Sequence, residues 1–305
     1  MSAPASPRVG ALARPPRADV WLIVLGVSAV STSAPLIRAA AAPAFAIAFW
    51  RNAMASGVLV PYTLVRARDE IANLTTRERR LALGSGVLLA LHFGTWIPSL
   101  SFTSVASSTA LVATQPVWAA LIARYRGDRV PALGWIGIGL SVLGAALLTG
   151  IDLHFSARAL TGDLLALVGG FFAAAYVTVG AEVRRSVSTT VYTTVCYVTT
   201  AALLLVLAAV TRTRIVGFSA TTWLCLLGLT VGAQLLGHSV FNRVLKTTSP
   251  TVVSISILFE IVGATVLAAV FLDESPRLAA LPAAVLVVAG VVAVIRAGRP
   301  LPVVD

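Results

Sequence analysis

The chain has 305 residues, of which 58% are apolar and 11% are charged, and its formal net charge is +11. Soluble domains carry roughly 25% charged residues, so this composition excludes an ordinary soluble protein and indicates a membrane protein with several spans. The positive charge does not indicate a nucleic-acid-binding protein, because the arginines lie in short loops between apolar runs, as membrane topology requires.

Ten apolar runs follow one another along the chain, and a run of about 20 apolar residues is long enough to cross a bilayer as a helix. We number these runs segments 1 to 10 and predict a helix for each. Residues 1–18 are rich in proline and arginine and are predicted to form a disordered cytoplasmic tail. The predicted segments are 20–38, 43–65, 81–101, 103–123, 131–149, 162–181, 190–210, 220–241, 250–271 and 276–296.

The loops between the segments differ strongly in positive charge. The two termini and the loops after segments 2, 4, 6 and 8 hold 17 Arg and Lys residues, whereas the opposite loops hold 5. Cytoplasmic loops carry the excess of positive charge, so both termini are predicted to be cytoplasmic. The fold class is therefore predicted as an all-α integral membrane protein with ten transmembrane helices and both termini cytoplasmic.

The second half of the chain repeats the first. At a shift of 144 residues, Asp19 and Gly26 of segment 1 match Asp163 and Gly170 of segment 6. The predicted repeats are 19–150 and 161–299, joined by an external linker 151–160 and followed by a cytoplasmic tail 300–305. Five segments per repeat is an odd number, so the second copy enters the membrane inverted, an arrangement typical of carriers that work by alternating access. The alternative is a duplication that merely enlarged the bundle.

Polar residues form stripes on several segments. In segment 4 the stripe is Ser104, Ser107, Ser108, Thr114, Gln115 and Trp118, and in segment 9 it is Ser249, Ser256, Glu260 and Gly263. At a shift of 145 residues Gln115 matches Glu260. Polar side chains facing lipid are costly, so the stripes are expected to face inward and to enclose a cavity, although a single Ser or Thr can instead bond to its own helix backbone.

Segments 3 and 8 carry the two histidines of these stripes, one residue apart under the repeat shift, and Tyr176 of segment 6 is expected to close the cavity. The cavity is predicted to lie between segments 1, 3, 4, 6, 8 and 9, with packing as the alternative role of each residue. The predicted substrate-binding residues are His92, Trp96, Gln115, Tyr176, Gln234, His238, Asn242 and Glu260.

Glu260 is the acidic residue placed near the middle of the bilayer, inside the run ISILFEIVGATV. Ionisable residues within membrane segments are candidates for function. Because apolar surroundings disfavour the ionised carboxylate, Glu260 could bind and release a proton or a cationic solute group. Its alternative role is a static hydrogen bond to His238, Gln115 or Arg51. Arg51 of segment 2 is predicted to be a gating or structural charge, with a substrate carboxylate as the second possibility.

Segment 5 carries a seam of small residues, Gly134, Gly137, Ser141 and Gly144, which suits close helix packing or a dimer contact. Cys196 and Cys225 lie inside apolar runs and form neither a disulfide framework nor a metal-ligand set. No Walker A sequence, metalloprotease motif or nucleophile elbow is present. We therefore expect no cofactor, no metal, no catalytic residue and no ATPase subunit, and leave a homodimer open.

Three stretches, FWRNAMA in segment 2, TSVASSTALVATQPVWAAL in segment 4 and ILFEIVGATVLAAVFLDE in segment 9, resemble the EamA-type carriers of the drug/metabolite transporter superfamily over about residues 19–299. The family pattern Leu-Glu-Pro-Val followed by Gly-Glu stands here as residues 259–262 and Asp273-Glu274. Ile261 replaces the proline, so the sequence does not predict a kink there, whereas segment 4 keeps Pro116.

The resemblance implies a secondary carrier in the cytoplasmic (inner) membrane, multi-pass, for amino acids, other metabolites or toxic compounds, often moved outward through a cavity between the repeats. The expected partners are a small solute and the lipid bilayer, and no nucleic acid. Two other functions are weighed against this one: a membrane enzyme using His92, His238 and Glu260, and a sensor or assembly subunit that transports nothing.

Overall fold

A computed structural model of the protein describes Leu12 and residues 15–103, 105–149, 156–263 and 280–298. Ser104, Asp273, Glu274 and the parts of segments 9 and 10 within 264–279 lie outside the described residues. Every described element is helical. The α-helices are α1 Arg17–Val30, α2 Ser33–Ala39, α3 Ala44–Arg66, α4 Arg68–Ala72, α5 Thr76–Ser99, α6 Val105–Val112, α7 Gln115–Tyr125, α8 Ala132–Thr149, α9 Ala157–Val183, α10 Thr189–Val210, α11 Ala220–Leu229, α12 Ser239–Val244, α13 Pro250–Ile257 and α14 Ala280–Ala297.

Each of the ten predicted segments overlaps at least one of these helices, and several segments are interrupted. Segment 1 is divided into α1 and α2, and segment 4 into α6 and α7. Segment 8 contains α11, a π-helix at Thr230–His238, and α12. Segment 9 consists of α13, a turn at Leu258, and helical residues that are described as far as Gly263.

Within the described residues, five helical stretches are long and apolar enough to cross a membrane, judged by length and composition. Three further apolar helices are shorter: Ala132–Leu147, Pro250–Gly263 and Leu281–Ala297. Together they describe a multi-pass helical membrane protein. The five long stretches are Arg17–Ala39, Thr76–Ser99, Ala157–Val183, Thr189–Val210 and Ala220–Val244.

Hydroxyl side chains define where many helices begin. Thr75 and Glu78 form a capping box at the start of α5, so each side chain binds the backbone N–H of the other. Four serines accept the backbone N–H three residues later and satisfy one of the free donors at a helix start. These serines are Ser156, Ser188, Ser219 and Ser249.

Two hydrogen bonds show the repeat symmetry directly. Thr103, after α5, donates to the Asp163 carboxylate of α9 at 2.7 Å. Thr247, after α12, donates to the Asp19 carboxylate of α1. Residues 103 and 247 are 144 positions apart, and so are residues 19 and 163. The contact between segments 3 and 6 therefore has its counterpart between segments 8 and 1, as two related repeats require.

Helices α8 and α14 pack against each other through small residues and follow the same symmetry. A Cβ at Gly137 would lie 2.6 Å from the Gly290 carbonyl oxygen, and a Cβ at Gly144 would lie 2.7 Å from the Ala283 carbonyl oxygen. A shift of 146 residues takes Gly137 to Ala283 and Gly144 to Gly290, so each contact corresponds to the other. Ser141 lies between them and donates to the Val287 carbonyl at 3.2 Å. The two helices are thus antiparallel, and the small-residue seam of segment 5 is covered within the same chain.

An ionic cluster holds three helices together at one end of the bundle. Glu182, at the end of α9, pairs with Arg77 at 2.7 Å, with Arg185 at 3.0 Å and with Arg126, just after α7, at 3.3 Å. The arginine-rich loops after segments 2, 4 and 6 meet here. The cluster therefore joins segments 3, 4 and 6 at the end that the charge pattern predicts to be cytoplasmic.

The symmetric Thr–Asp bonds give a stability prediction. Replacing Thr103 or Thr247 by valine keeps the shape but removes the donor to a carboxylate, and a hydrogen bond to a charged group contributes about 1.5–3 kcal/mol. Each variant is expected to lower the thermal unfolding temperature in detergent, by similar amounts. Thr221→Val is the control, because Thr221 is exposed. An unchanged unfolding temperature for both variants would show that the bonds do not stabilise the bundle.

Candidate functional site

A cavity lies where the two repeats meet. Its empty space is about 850 Å³, including its open side. Its wall is mainly apolar and includes residues of two buried clusters, one dominated by segments 1–3 and 6–8 and the other by segments 4, 5, 9 and 10. The lining residues are Val30, Ser33, Arg51, His92, Trp96, Thr109, Val112, Ala113, Gln115, Ala173, Tyr176, Val177, His238, Phe241, Ser254, Ile257, Leu258, Glu260 and Ile261.

Segments 4 and 9 are both interrupted beside this cavity. Helices α6 and α13 end at Val112 and Ile257, which are 145 positions apart. At each interruption the backbone forms a tighter bond to the third preceding residue, from Thr114 to Leu111 at 3.1 Å and from Leu258 to Ile255 at 3.2 Å. Segment 9 is therefore interrupted at the place equivalent to segment 4 without the family's proline, so proline is not the cause there.

Arg51 is the buried cation of the site, with 1% of its surface exposed. Its Nε donates to the Gln234 side-chain oxygen at 2.8 Å, and the Gln234 amide donates to Asn52 Oδ1 at 3.0 Å. Its guanidinium carbon lies 4.4 Å from the centre of the Phe93 ring. The two terminal nitrogens, Nη1 and Nη2, have no hydrogen-bond partner among the described residues.

Glu260 lines the same cavity and is half-buried. Within the described part of the chain no hydrogen bond from its carboxylate is observed, and no ion pair within 4.0 Å joins it to Arg51. The static hydrogen bond to His238, Gln115 or Arg51 that we considered is therefore not formed in this conformation. A carboxyl group in this position is able to exchange a proton or to contact a solute.

The aromatic residues form one wall. The His92 and Trp96 rings are stacked at 5.6 Å with an angle of 9° between their planes, and His92 Nδ1 donates to the Gly169 carbonyl at 2.9 Å. His238 packs edge-on against Phe93 at 5.5 Å and lies 6.3 Å from the Tyr176 ring. The two histidines thus approach the cavity from opposite repeats.

Gln115 is both a lining residue and a bridge between the repeats. Its amide donates to the Ser254 hydroxyl of α13 at 2.9 Å. This bond joins segments 4 and 9 across the cavity. At a shift of 145 residues the equivalent pair is Thr109 with Glu260, and no hydrogen bond joins those two side chains, although both line the cavity.

Six of the eight predicted substrate-binding residues line the cavity, together with Arg51. Gln234 and Asn242 are fully buried and do not line it. Each accepts a hydrogen bond from a lining residue. Gln234 accepts from Arg51 Nε, and Asn242 accepts from the Tyr176 hydroxyl at 2.6 Å. The six lining residues are His92, Trp96, Gln115, Tyr176, His238 and Glu260.

The π-helix in segment 8 contains both Gln234 and His238. Single turns of π-helix occur frequently at functional sites. The Gln234 carbonyl accepts bonds from the Tyr197 and Ser239 hydroxyls at 3.2 Å each. The irregular backbone of this segment is therefore satisfied by neighbouring side chains beside the cavity.

The sequence stripes missed Ser33, Thr109 and Ser254, and they omitted segment 2, which supplies Arg51. The stripes assumed 100° per residue, but a tighter turn advances by about 120° per residue, so a stripe does not continue straight across an interruption. Conversely, Ser108 of the predicted stripe bonds to Ser99 at 2.6 Å and lies away from the cavity. Pro116 was the sequence signal that could have corrected the stripe of segment 4, because a proline disfavours a continuous helix before it.

The fold and the cavity define a class: a multi-pass helical membrane protein built from two repeats around a central cavity. The EamA-like transporter family matches residues 17–150 and 160–296, and the chain belongs to this family. The two matches coincide with the two halves related by the Thr–Asp bonds.

Solved structures are similar in fold. One crystal structure of a protein aligns with 90% of this chain and 96% of its own chain, at a TM-score of 0.77 and 19% sequence identity. That similarity concerns the fold alone. No curated protein matches this chain.

Proposed function

We propose that this protein is a secondary carrier that exports small metabolites, such as amino acids or amphipathic compounds, across the cytoplasmic membrane by alternating access. The observation that supports this most strongly is the cavity at the junction of the repeats, where two interrupted segments meet and where Arg51 and Glu260 both lack an ionic partner within the described residues. Binding sites of carriers built from inverted repeats lie at such junctions, beside discontinuous helices.

The two repeats can exchange conformations because they are related by symmetry. The solute enters the cavity from one side, the halves rock, and the cavity opens on the other side. Glu260 supplies the coupling to protons in this cycle. In the closed, dry cavity the neutral carboxyl group is favoured, whereas water entering an open cavity favours the carboxylate.

Transport by reconstituted protein tests this function. Purified protein in liposomes is supplied with amino acids and small amines, and labelled-solute flux and transient currents are recorded at several pH values. Wild-type protein is expected to show solute-dependent, pH-sensitive transport. Glu260→Gln keeps the size of the side chain but cannot ionise, so its flux is expected to fall by about tenfold or more, equivalent to 1.4 kcal/mol, and to lose its pH dependence.

Asp69→Asn is the matched control, because Asp69 is an exposed carboxylate on α4, and its flux should equal that of the wild type. Glu260→Gln transport that equals the wild type at every pH would refute the coupling role. Wild-type liposomes that move none of the supplied solutes faster than empty liposomes would count against the carrier itself.

A further inference from the structure

Three buried nitrogen atoms that carry N–H groups have no acceptor, and they belong to two residues of the cavity wall. They are Nη1 and Nη2 of Arg51 and Nε1 of Trp96. Within the described part of the chain, two other buried side-chain atoms lack partners, the hydroxyls of Ser56 and Thr248, and neither lines the cavity. Buried polar groups are normally hydrogen-bonded, so free donors on two residues that line one cavity indicate an absent acceptor.

Charge indicates that this acceptor is an anion. A guanidinium group remains protonated in proteins, and an unpaired buried charge is costly. Gln234 offers Arg51 a neutral oxygen, and Phe93 offers the face of a ring. Glu260, the carboxylate in the same cavity, lies more than 4.0 Å away from the guanidinium nitrogens. The protein itself therefore gives the guanidinium no directly bound anion in this conformation, and Glu260 acts on it only from more than 4.0 Å away.

The geometry of the donors favours a carboxylate. The two terminal nitrogens of a guanidinium bind the two oxygens of a carboxylate side by side. A phosphate group would bring up to two negative charges to a cavity with one fixed cation. The rest of the wall is mainly apolar, with Val30, Val112 and Val177 on it, and this part suits a hydrocarbon or aromatic body.

We propose that the cavity binds organic monocarboxylates with an apolar body, and that the carboxylate occupies the free N–H groups of Arg51 with Trp96 as an additional donor. This inference rests on the proposed function, since it names the substrate class of that carrier. It changes the role of Arg51, which the sequence alone favoured as a gating or structural charge, to direct contact with the substrate.

Three probes with the same phenylethyl body, of which the acid and the amide match in size and shape, test the head group. Wild-type protein in lipid nanodiscs is titrated by calorimetry with 3-phenylpropionate, 3-phenylpropionamide and 3-phenylpropylamine. The carboxylate is expected to bind about tenfold or more tightly than the amide, because a charge-assisted pair of hydrogen bonds is roughly twice as strong as a neutral one. Equal binding of acid and amide, tighter binding of the amine, or no binding of the acid would each overturn the proposal.

Variants assign the binding to its residues. Arg51→Gln is expected to remove the preference for the acid over the amide, and Arg51→Lys to restore only part of it, because an ammonium is a point charge without the paired donors. Trp96→Phe removes one N–H and is expected to weaken the acid about threefold while leaving the amide less affected. Arg68→Gln, an exposed arginine on α4, is the control and should bind like the wild type.

Folding of each variant is checked by circular dichroism and size-exclusion chromatography. Should Arg51→Gln fail to fold, the probe series on wild-type protein and the Trp96→Phe variant still decide the proposal. The same probes separate it from the proposed function. Preferential binding of the acid without flux would retain the carboxylate site and refute the carrier function. Flux of several solutes with no preference for the acid would retain the carrier function and refute the carboxylate site.

Discussion

The variant Gly290→Leu is expected to lose the packing of α14 against α8. Even a Cβ at Gly290 would lie 2.7 Å from the Ser141 backbone nitrogen and still closer to the Gly137 carbonyl oxygen. Both are backbone atoms of a helix and cannot move aside as a flexible side chain can. Small residues are what allow helices in membranes to approach so closely, so the added side chain must separate the two helices.

The loss of stability is expected to exceed that of an ordinary overpacked site, which is typically 1–3 kcal/mol. Size-exclusion chromatography of heated, detergent-solubilised protein measures it as a lower unfolding temperature or as absent folded protein. Gly139→Leu, on the partner helix α8, is the control, because Gly139 is exposed and a Cβ there meets nothing within 4 Å. Equal losses for the two variants would mean that leucine in either helix, rather than the close contact between α8 and α14, is responsible.

Ser254→Ala is expected to shift the protein toward its opposite conformation. The variant leaves the buried Gln115 amide without its acceptor, which costs about 1–3 kcal/mol in the conformation described here. Exchange of the repeats would replace the Gln115–Ser254 bond by a bond between Glu260 and Thr109, the pair at the equivalent positions. Thr109→Ala should therefore act in the opposite direction and favour the present conformation.

Distances between spin labels measure this equilibrium. Tyr125 and Lys246 are exposed positions at the end of α7 and just before α13, and cysteines there carry the labels after Cys196 and Cys225 are replaced by alanine. The ratio of the two distance populations is expected to change about 5- to 150-fold with Ser254→Ala, as 1–3 kcal/mol implies. Identical distance distributions for Ser254→Ala, Thr109→Ala and the parent would refute the exchange of partners.

Asp19 and Asp163 illustrate what sequence comparison can find. Each is an isolated acid at the start of an apolar run, and their spacing of 144 residues is one of the matches that define the repeat in the sequence. The structure adds that both carboxylates accept a bond from a threonine of the opposite repeat. Those threonines carried no sequence signal, because a hydroxyl at a segment end is common and its partner is distant in the chain.

Arg51 and Gln115 illustrate what the sequence could not decide. The sequence placed both within membrane segments, but one-dimensional periodicity cannot show which segments touch. Tertiary packing brings Gln234 to one nitrogen of Arg51 and leaves the two terminal nitrogens without a partner, and it joins Gln115 to Ser254 rather than to Glu260. The same packing buries Gln234 and Asn242 behind the wall, where a stripe of polar residues had placed them on it.

The sequence by itself determined the membrane class, the family and the two repeats, because these depend on the local hydrophobicity and self-similarity of segments. The interruptions in segments 4, 8 and 9, the composition of the cavity wall and the free donors on it were decided by the tertiary structure. The physical reason is that a polar group in a membrane protein must find its partner across the bundle. Which groups succeed, and which remain available to a ligand, depends on how all the helices pack.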